Sequence, residues 1–122
     1  MDEKISLKYG EETVEIDVRG AASIETILPK PMEEITDLRK AFLRAVEQDA
    51  IGGVTLKDAV GPEDEVTIVV SDITRSWMHQ DRVMPLLVEY LHDRIGVPYE
   101  KTVILIALGT HRKSTPEEMV KI

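Results

Sequence analysis

Two apolar segments constrain the fold of this chain more than any other feature. The first, residues 66–70, carries one polar residue, Thr67, and the second, residues 103–108, carries none. Strands without polar alternation are typical of parallel sheets. The segment between them predicts a helix that ends near Gly96 and Pro98. Strand, helix and strand with short loops predict a βαβ unit with parallel strands, buried on both faces. The helical spacing comes from these residues: Val83, Leu86, Leu87, Tyr90 and Leu91.

The N-terminal half predicts a hairpin followed by one helix. Apolar residues alternate with polar ones over residues 5–9 and again over 14–18, which indicates two strands with one buried face. Residues 33–49 repeat apolar side chains at helical spacing, and Gly52-Gly53 follows as a stop signal. Residues 56–60 predict a short turn of undetermined type.

These elements predict an α/β fold, in which an N-terminal β-hairpin and a βαβ unit form a Rossmann-like, partial three-layer sheet. Residues 1–60 hold the hairpin and first helix, and residues 61–122 the βαβ core. Pro85 is expected in the first turn of the second helix, where its missing N–H costs little. At the end, Thr115, Pro116 and Glu118 predict a capped helix start. Because few residues follow, we expect a truncated domain.

Charge and composition exclude several classes of protein. The 122 residues carry a net charge of −8, from 15 basic and 23 acidic residues, which argues against a nucleic-acid partner. Without cysteine, disulfides and thiolate metal sites are excluded from this segment. The first residues do not resemble a secretion signal, and no apolar run reaches the ~18 residues of a membrane helix. The sequence predicts a cytoplasmic protein without a membrane partner.

Polar residues follow both predicted parallel strands. Parallel strands end at the same edge of a sheet, and open α/β sheets bind ligands at that edge. We therefore expect these side chains around one cleft: Asp72, Thr74, Arg75, Thr110, His111 and Arg112.

The chemistry of these residues suits a small anion and a proton transfer. The planar guanidinium of Arg75 can bind a carboxylate or phosphate with two hydrogen bonds. His111 belongs to the residue type that exchanges protons near neutral pH. Asp72 could orient His111 or Arg75, or bind a sugar hydroxyl. The helix starting near Pro116 could seat an anion.

Structural interpretations of the same residues stay open. Asp72 and Thr74 are equally well explained as caps of the next segment, and His111 could simply bond a neighbouring carbonyl. Arg112 is of a type that often faces solvent, and Trp77 is expected to pack. The histidines show no metal-ligand spacing, and no glycine-rich phosphate loop is present.

The ordered motifs resemble the N-terminal domain of the nickel-dependent lactate racemase family. The family pattern is Asp-x-Thr-Arg followed some thirty-odd residues later by Gly-Thr-His-Arg. This chain carries "SDITR" at residues 71–75, "GTHR" at 109–112 and "STPEEM" at 114–119. The resemblance covers residues 60–122 well and the preceding residues in general layout only.

This resemblance implies a racemase or epimerase that inverts the hydroxyl-bearing carbon of a small 2-hydroxy acid. Such enzymes use a nickel-pincer nucleotide as hydride acceptor and two histidines as acid and base. His111 aligns with one histidine, and Arg75 with an arginine near the substrate. Asp72, Thr74 and Thr110 are the expected cofactor-side residues.

The resemblance has limits that leave other functions open. Ser76-Trp77 stands where typical members carry proline after Thr-Arg. The cofactor-anchoring lysine, nickel-binding histidine and second catalytic histidine are expected in the C-terminal remainder of the same protein. We therefore expect no metal ligands in this segment and no turnover by the segment alone. The alternatives are a non-catalytic small-anion or nucleotide-binding α/β module, and an epimerase or dehydratase of a larger hydroxy acid or sugar acid.

Overall fold

The computed structural model describes residues 4–122. The chain divides into two compact units, with the boundary between Glu33 and Glu34. The first helix thus groups with the βαβ segment and not with the hairpin. The functional division at residue 60 stays a prediction.

The first unit contains the predicted hairpin. Strands β1 (Lys4–Tyr9) and β2 (Glu12–Asp17) are antiparallel, and Tyr9 pairs with Glu12 across a two-residue loop. Gly10 opens that loop with φ +62°, a backbone region that glycine adopts at little cost. The expected buried face was wrong, because its paired residues Leu7 and Val14 are 48% and 43% exposed.

The second unit begins with two helices whose starts are fixed by side chains. Helix α1 (Leu38–Glu47) begins later than predicted, because the carboxylate of Asp37 accepts the N–H of Lys40 at 2.9 Å. After a 3₁₀ turn at Ile51–Gly53, the short turn proves to be a one-turn helix, α2 (Leu56–Ala59). Thr55 and Asp58 cap it reciprocally.

The predicted βαβ unit is confirmed. Strands β3 (Val66–Ser71) and β4 (Thr102–Ala107) are parallel, and Ser71 pairs with Ala107 at their carboxyl ends. Helix α3 (Gln80–Tyr90) and a π-helical turn (Leu91–Ile95) connect them, followed by a 3₁₀ turn at Tyr99–Lys101.

The start of α3 corrects one prediction. Arg82 N–H bonds the carbonyl of His79 at 3.1 Å, so the helix begins at Gln80 and Pro85 falls in its second turn. Its other end is as predicted: Gly96 has φ +91°, and its N–H bonds the carbonyl of Leu91 at 3.0 Å.

The core lies on one face of the parallel sheet. Ile68 and Val70 of β3 pack in one cluster with Leu91 and Val97, which are only 2% and 1% exposed. Burying an aliphatic side chain of this size contributes ~1.5–3 kcal/mol.

The other face of this sheet is exposed, so the prediction of burial on both faces was wrong. Val69 of β3 is 62% exposed, and Val103 and Leu105 of β4 are 56% and 52% exposed. Within residues 4–122 the parallel sheet is thus one half of a two-layer arrangement.

The chain ends in the predicted capped helix start, α4 (Pro116–Met119), in which Thr115 and Glu118 form a capping box. Across the part of the chain that the structure describes, no helix is both long and apolar enough to cross a membrane.

Candidate active site

A cleft of about 460 Å³ opens at the carboxyl ends of β3 and β4. Its position confirms that the two strand-end segments meet at one edge of the sheet. Four of the six predicted side chains line it, together with residues that contribute mainly backbone or small groups. The lining residues are Ser71, Asp72, Arg75, Ala107, Leu108, Gly109, Thr110 and His111.

A polar contact in the cleft joins Asp72 to His111. Nδ1 of His111 lies 2.7 Å from Oδ2 of Asp72. Asp72 is 3% exposed and stands directly after β3. His111 follows β4 in a turn in which its backbone N–H donates to the carbonyl of Leu108 at 2.9 Å. The parallel pairing of β3 and β4 therefore brings together two residues 39 positions apart.

Thr74 completes the environment of the Asp72 carboxylate. Its hydroxyl donates to Oδ1 of Asp72 at 2.6 Å, and its backbone N–H donates to the same oxygen at 3.1 Å. The Thr74 hydroxyl is the main reason that the pKa of Asp72 lies below its ordinary value; burial opposes this decrease, and the bond to His111 adds to it. Asp72 is thus an ionised, buried carboxylate at neutral pH.

This carboxylate selects one tautomer of the neutral histidine. An ionised carboxylate only accepts hydrogen bonds, so Nδ1 of His111 must carry a proton. In the neutral imidazole, Nε2 then carries the lone pair and can accept a proton. His111 lines the cleft and its side chain is 46% exposed, so this nitrogen is accessible to a ligand.

Arg75 supplies a cation to the same cleft. It lies in the 3₁₀ segment Ile73–Met78 that follows Asp72, and it is exposed. Among residues 4–122 no carboxylate lies within ion-pair distance of its guanidinium. The group is therefore available to an anionic ligand. Trp77 in the same segment is 66% exposed, so the expectation that it packs was wrong.

Arg112 does not join the cleft. It donates from both terminal nitrogens to the carboxylate of Glu118, at 2.7 and 2.8 Å. This pair, with a backbone bond from Thr115, lowers the pKa of Glu118 from 4.5 to about 2. At the predicted anion seat of this helix start, Thr115 Oγ1 already accepts the backbone N–H of Glu118 and the Glu118 carboxylate accepts that of Thr115, and anion binding there stays a prediction.

Sequence reasoning missed Gln80. Its side-chain oxygen accepts the backbone N–H of Ser71 at 2.9 Å, and its amide nitrogen lies 3.5 Å from the Ser71 carbonyl. A glutamine at the start of a helix carries no local signal for a contact nine residues upstream. Only the observed path of the chain reveals this contact.

Among the described residues the cleft holds an exposed guanidinium but no metal-binding cluster. Across residues 4–122, no three His, Cys, Asp or Glu side chains come together in a way that could hold a metal ion. The donors present, Arg75 and Thr110, suit carboxylate or phosphate oxygens.

Comparison of the sequence with protein-family models identifies a family for this chain. The family model of the lactate racemase N-terminal domain matches residues 9–122. The chain belongs to this family. Searches of curated proteins and of solved structures gave no significant match. The family match includes both cleft segments and also β2 and α1, which the motif resemblance had covered only in general layout.

Proposed function

We propose that this chain forms part of the active site of a 2-hydroxy-acid racemase or epimerase. His111 exchanges a proton with the substrate hydroxyl, and Arg75 binds the substrate carboxylate. The observation that supports this proposal most strongly is the 2.7 Å contact between His111 Nδ1 and Asp72 Oδ2 in a cleft that also holds Arg75. Membership of the lactate racemase N-terminal domain family supports the same reaction class.

His111 is the proton acceptor and donor of this proposal. Nε2 would accept the hydroxyl proton of one enantiomer as the hydrogen of the neighbouring C–H bond leaves as hydride, for which the bound cofactor would be the acceptor. In the reverse direction Nε2 would donate a proton to the same oxygen, and the second histidine, expected outside this segment, would serve the other enantiomer. The imidazolium formed in between faces the buried carboxylate of Asp72, which stabilises the positive charge where it develops. A positioned general base of this kind contributes ~10²–10⁴-fold to a rate.

Arg75 fixes the orientation of the acid. A guanidinium binds a carboxylate through two parallel hydrogen bonds, which sets the direction of the hydroxyl-bearing carbon as well as its position. The same charge stabilises negative charge that develops on the substrate oxygen. Both effects depend on Arg75 being free of an internal partner.

We expect the Thr110 side of the cleft to take the anionic part of a nickel-pincer nucleotide. Thr110 offers a hydroxyl, and a Cβ added to Gly109 would meet no heavy atom within 4 Å, so this wall is open. Thr110 is the residue here that would bind the nucleotide. That Asp72 and Thr74 also contact the nucleotide stays a prediction. When bound, such a cofactor supplies the acceptor for the substrate hydride. Its metal ligands are expected in the C-terminal remainder of the protein.

The substrate is proposed as a small 2-hydroxy acid, lactate being one candidate among several. Because the second acid–base residue is expected outside this segment, the segment alone should not turn over. A cytoplasmic location stays a prediction.

The alternative is a non-catalytic module that binds a small anion or nucleotide. The free guanidinium of Arg75 supports anion binding by either kind of protein. Only the Asp72–His111 pair favours the enzyme, because binding alone does not require an oriented proton acceptor.

The intact protein, produced with the machinery that matures the cofactor, provides the test. Nickel content and loss of optical rotation would be measured over a panel of 2-hydroxy acids. His111→Ala should lower kcat for a true substrate by at least ~100-fold, the lower bound for loss of a general base. Lys113→Ala, in the same exposed segment, is the matched control and should retain activity. Nickel-loaded protein that binds the acids without racemising any would establish the binding module instead.

A further inference from the structure

Gln80 lies outside the cleft but contacts the residue that precedes Asp72. Its side-chain oxygen accepts the N–H of Ser71 at 2.9 Å, and its amide nitrogen approaches the Ser71 carbonyl at 3.5 Å. One side-chain amide thus faces both backbone groups of the last residue of β3. The Gln80 amide thus takes the place of a neighbouring strand, whose backbone would offer Ser71 the same acceptor and donor.

The backbone just before Gln80 supports this contact. His79 has φ +54° and is the one non-glycine residue with positive φ in the described chain. This conformation is costly for a residue with a Cβ and persists where surrounding structure holds it. The turn at His79 starts α3 so that its first residue faces the end of β3.

Two hydrogen bonds and one peptide link connect Gln80 to the proposed general base. Ser71 is bonded to Asp72, and the carboxylate of Asp72 contacts His111 at 2.7 Å. Gln80 and Asp72 also border the same small void of about 10 Å³. A shift of the Ser71 backbone would therefore move the carboxylate relative to the imidazole.

We propose that Gln80 is a positioning residue that holds the end of β3 so that Asp72 keeps His111 oriented for proton exchange. This inference rests on the proposed function for its effect on catalysis. The effect of Gln80 on the Asp72–His111 contact can be measured whatever reaction the protein catalyses.

The substitutions separate positioning from simple stabilisation. Gln80→Met keeps the length of the side chain and removes both polar groups. Gln80→Glu keeps the acceptor for the 2.9 Å bond but sets a carboxylate oxygen, in place of the amide N–H, towards the Ser71 carbonyl, so it should restore much of the wild-type behaviour. Arg82→Met, at an exposed position two residues further along α3, is the matched control for adding methionine to this helix.

Two measurements are needed, an NMR spectrum and kinetics. The first is the ¹⁵N spectrum of the His111 ring in the intact protein. Wild type should show the Nδ1–H tautomer with a strongly hydrogen-bonded proton. In Gln80→Met that proton signal should move or exchange faster, and in Gln80→Glu and Arg82→Met it should stay. The second is kinetics, where Gln80→Met should lower kcat by ~10-fold with little change in KM, because misplaced catalytic groups lose rate more than binding.

The outcomes distinguish this inference from the proposed function. If Gln80→Met lowers only Tm while the His111 spectrum and kcat match the control, Gln80 is structural and the inference is wrong. If the His111 spectrum changes as expected but His111→Ala retains full activity, Gln80 still positions the pair and the proposed function is wrong.

Discussion

His111 and Arg112 are neighbours in sequence, and each contacts a carboxylate, but the two pairs differ in burial. The side chain of Asp72 is 4% exposed, while that of Glu118 is 21% exposed. The Arg112 side chain is itself 68% exposed, and its partner Glu118 lies only six residues later, in the first turn of α4. His111 instead contacts a residue 39 positions earlier, on the other strand of the sheet.

The difference in burial favours the Asp72–His111 pair for the proposed proton exchange. A carboxylate shielded from water acts strongly on the charge of its partner, whereas an exposed ion pair contributes little. The Asp72–His111 pair also has a free ring nitrogen at a cleft, while the donors of Arg112 are used for Glu118. We therefore expect changes to the first pair to alter rate, and changes to the second to alter only local stability.

The largest effect is expected from Asp72→Asn. The amide cannot stabilise an imidazolium as a carboxylate does, and it can favour the opposite tautomer of His111. In other histidine–aspartate pairs such a change costs ~10⁴ in kcat, and we expect a decrease of at least ~100-fold here. Racemisation rates of the intact protein would measure it.

Glu118→Gln is the matched carboxylate-to-amide change in the other pair. It should leave kcat within about twofold of wild type, because an exposed pair acts weakly and does not reach the cleft. Equal losses in the two variants would contradict the distinction between the pairs.

Sequence patterns were sufficient to predict how this site is brought together. Nearly unbroken apolar character in β3 and β4 predicted parallel strands, and parallel strands place the residues after Val70 and Leu108 at one edge. The capping box of Thr115 and Glu118 was equally readable, because its signal lies within four residues.

The parts that could not be predicted depend on where chain segments lie in space. The apolar character of Val103 and Leu105 predicted burial, but burial requires a second layer that residues 4–122 do not supply. The pairing of Arg112 with Glu118 and of Gln80 with Ser71 depends on where chain segments meet. Residue type alone showed that Arg112 could bind an anion, but not that Glu118 would be that anion.

An intermediate effect is expected from Thr74→Val, which keeps the side-chain shape and removes the hydroxyl. Because that hydroxyl is the main cause of the low pKa of Asp72, the pKa should rise towards its ordinary value. The backbone N–H of Thr74 and the contact with His111 remain, so kcat should fall by only ~10-fold, as expected for a slightly misplaced group.

The same substitution should change the acid stability of the fold. A carboxylate with a lowered pKa stabilises the folded state above its unfolded pKa, and this contribution is lost as pH falls through the folded pKa. In Thr74→Val this contribution should therefore be smaller above the unfolded pKa, and its loss should be complete at a higher pH than in wild type. A ¹³C titration of the Asp72 carboxyl and unfolding curves at several acidic pH values would measure both changes. A carboxyl titration identical to wild type would show that the hydroxyl does not control this site.

The smallest effect is expected from breaking the exposed pair with Arg112→Met. The pKa of Glu118, lowered from 4.5 to about 2 chiefly by Arg112, should return towards 4.5. The pair stabilises the folded state above about pH 4.5, and in wild type this contribution is lost only as pH falls towards 2. The variant should therefore unfold slightly more readily than wild type at and above about pH 4.5, and this difference should shrink as pH falls towards 2. Its kcat near neutral pH should stay within about twofold of wild type. Melting curves from pH 2 to 7, compared with Lys113→Met, would measure this shift. A large loss of activity in Arg112→Met would mean that Arg112 acts in the cleft despite its contact with Glu118.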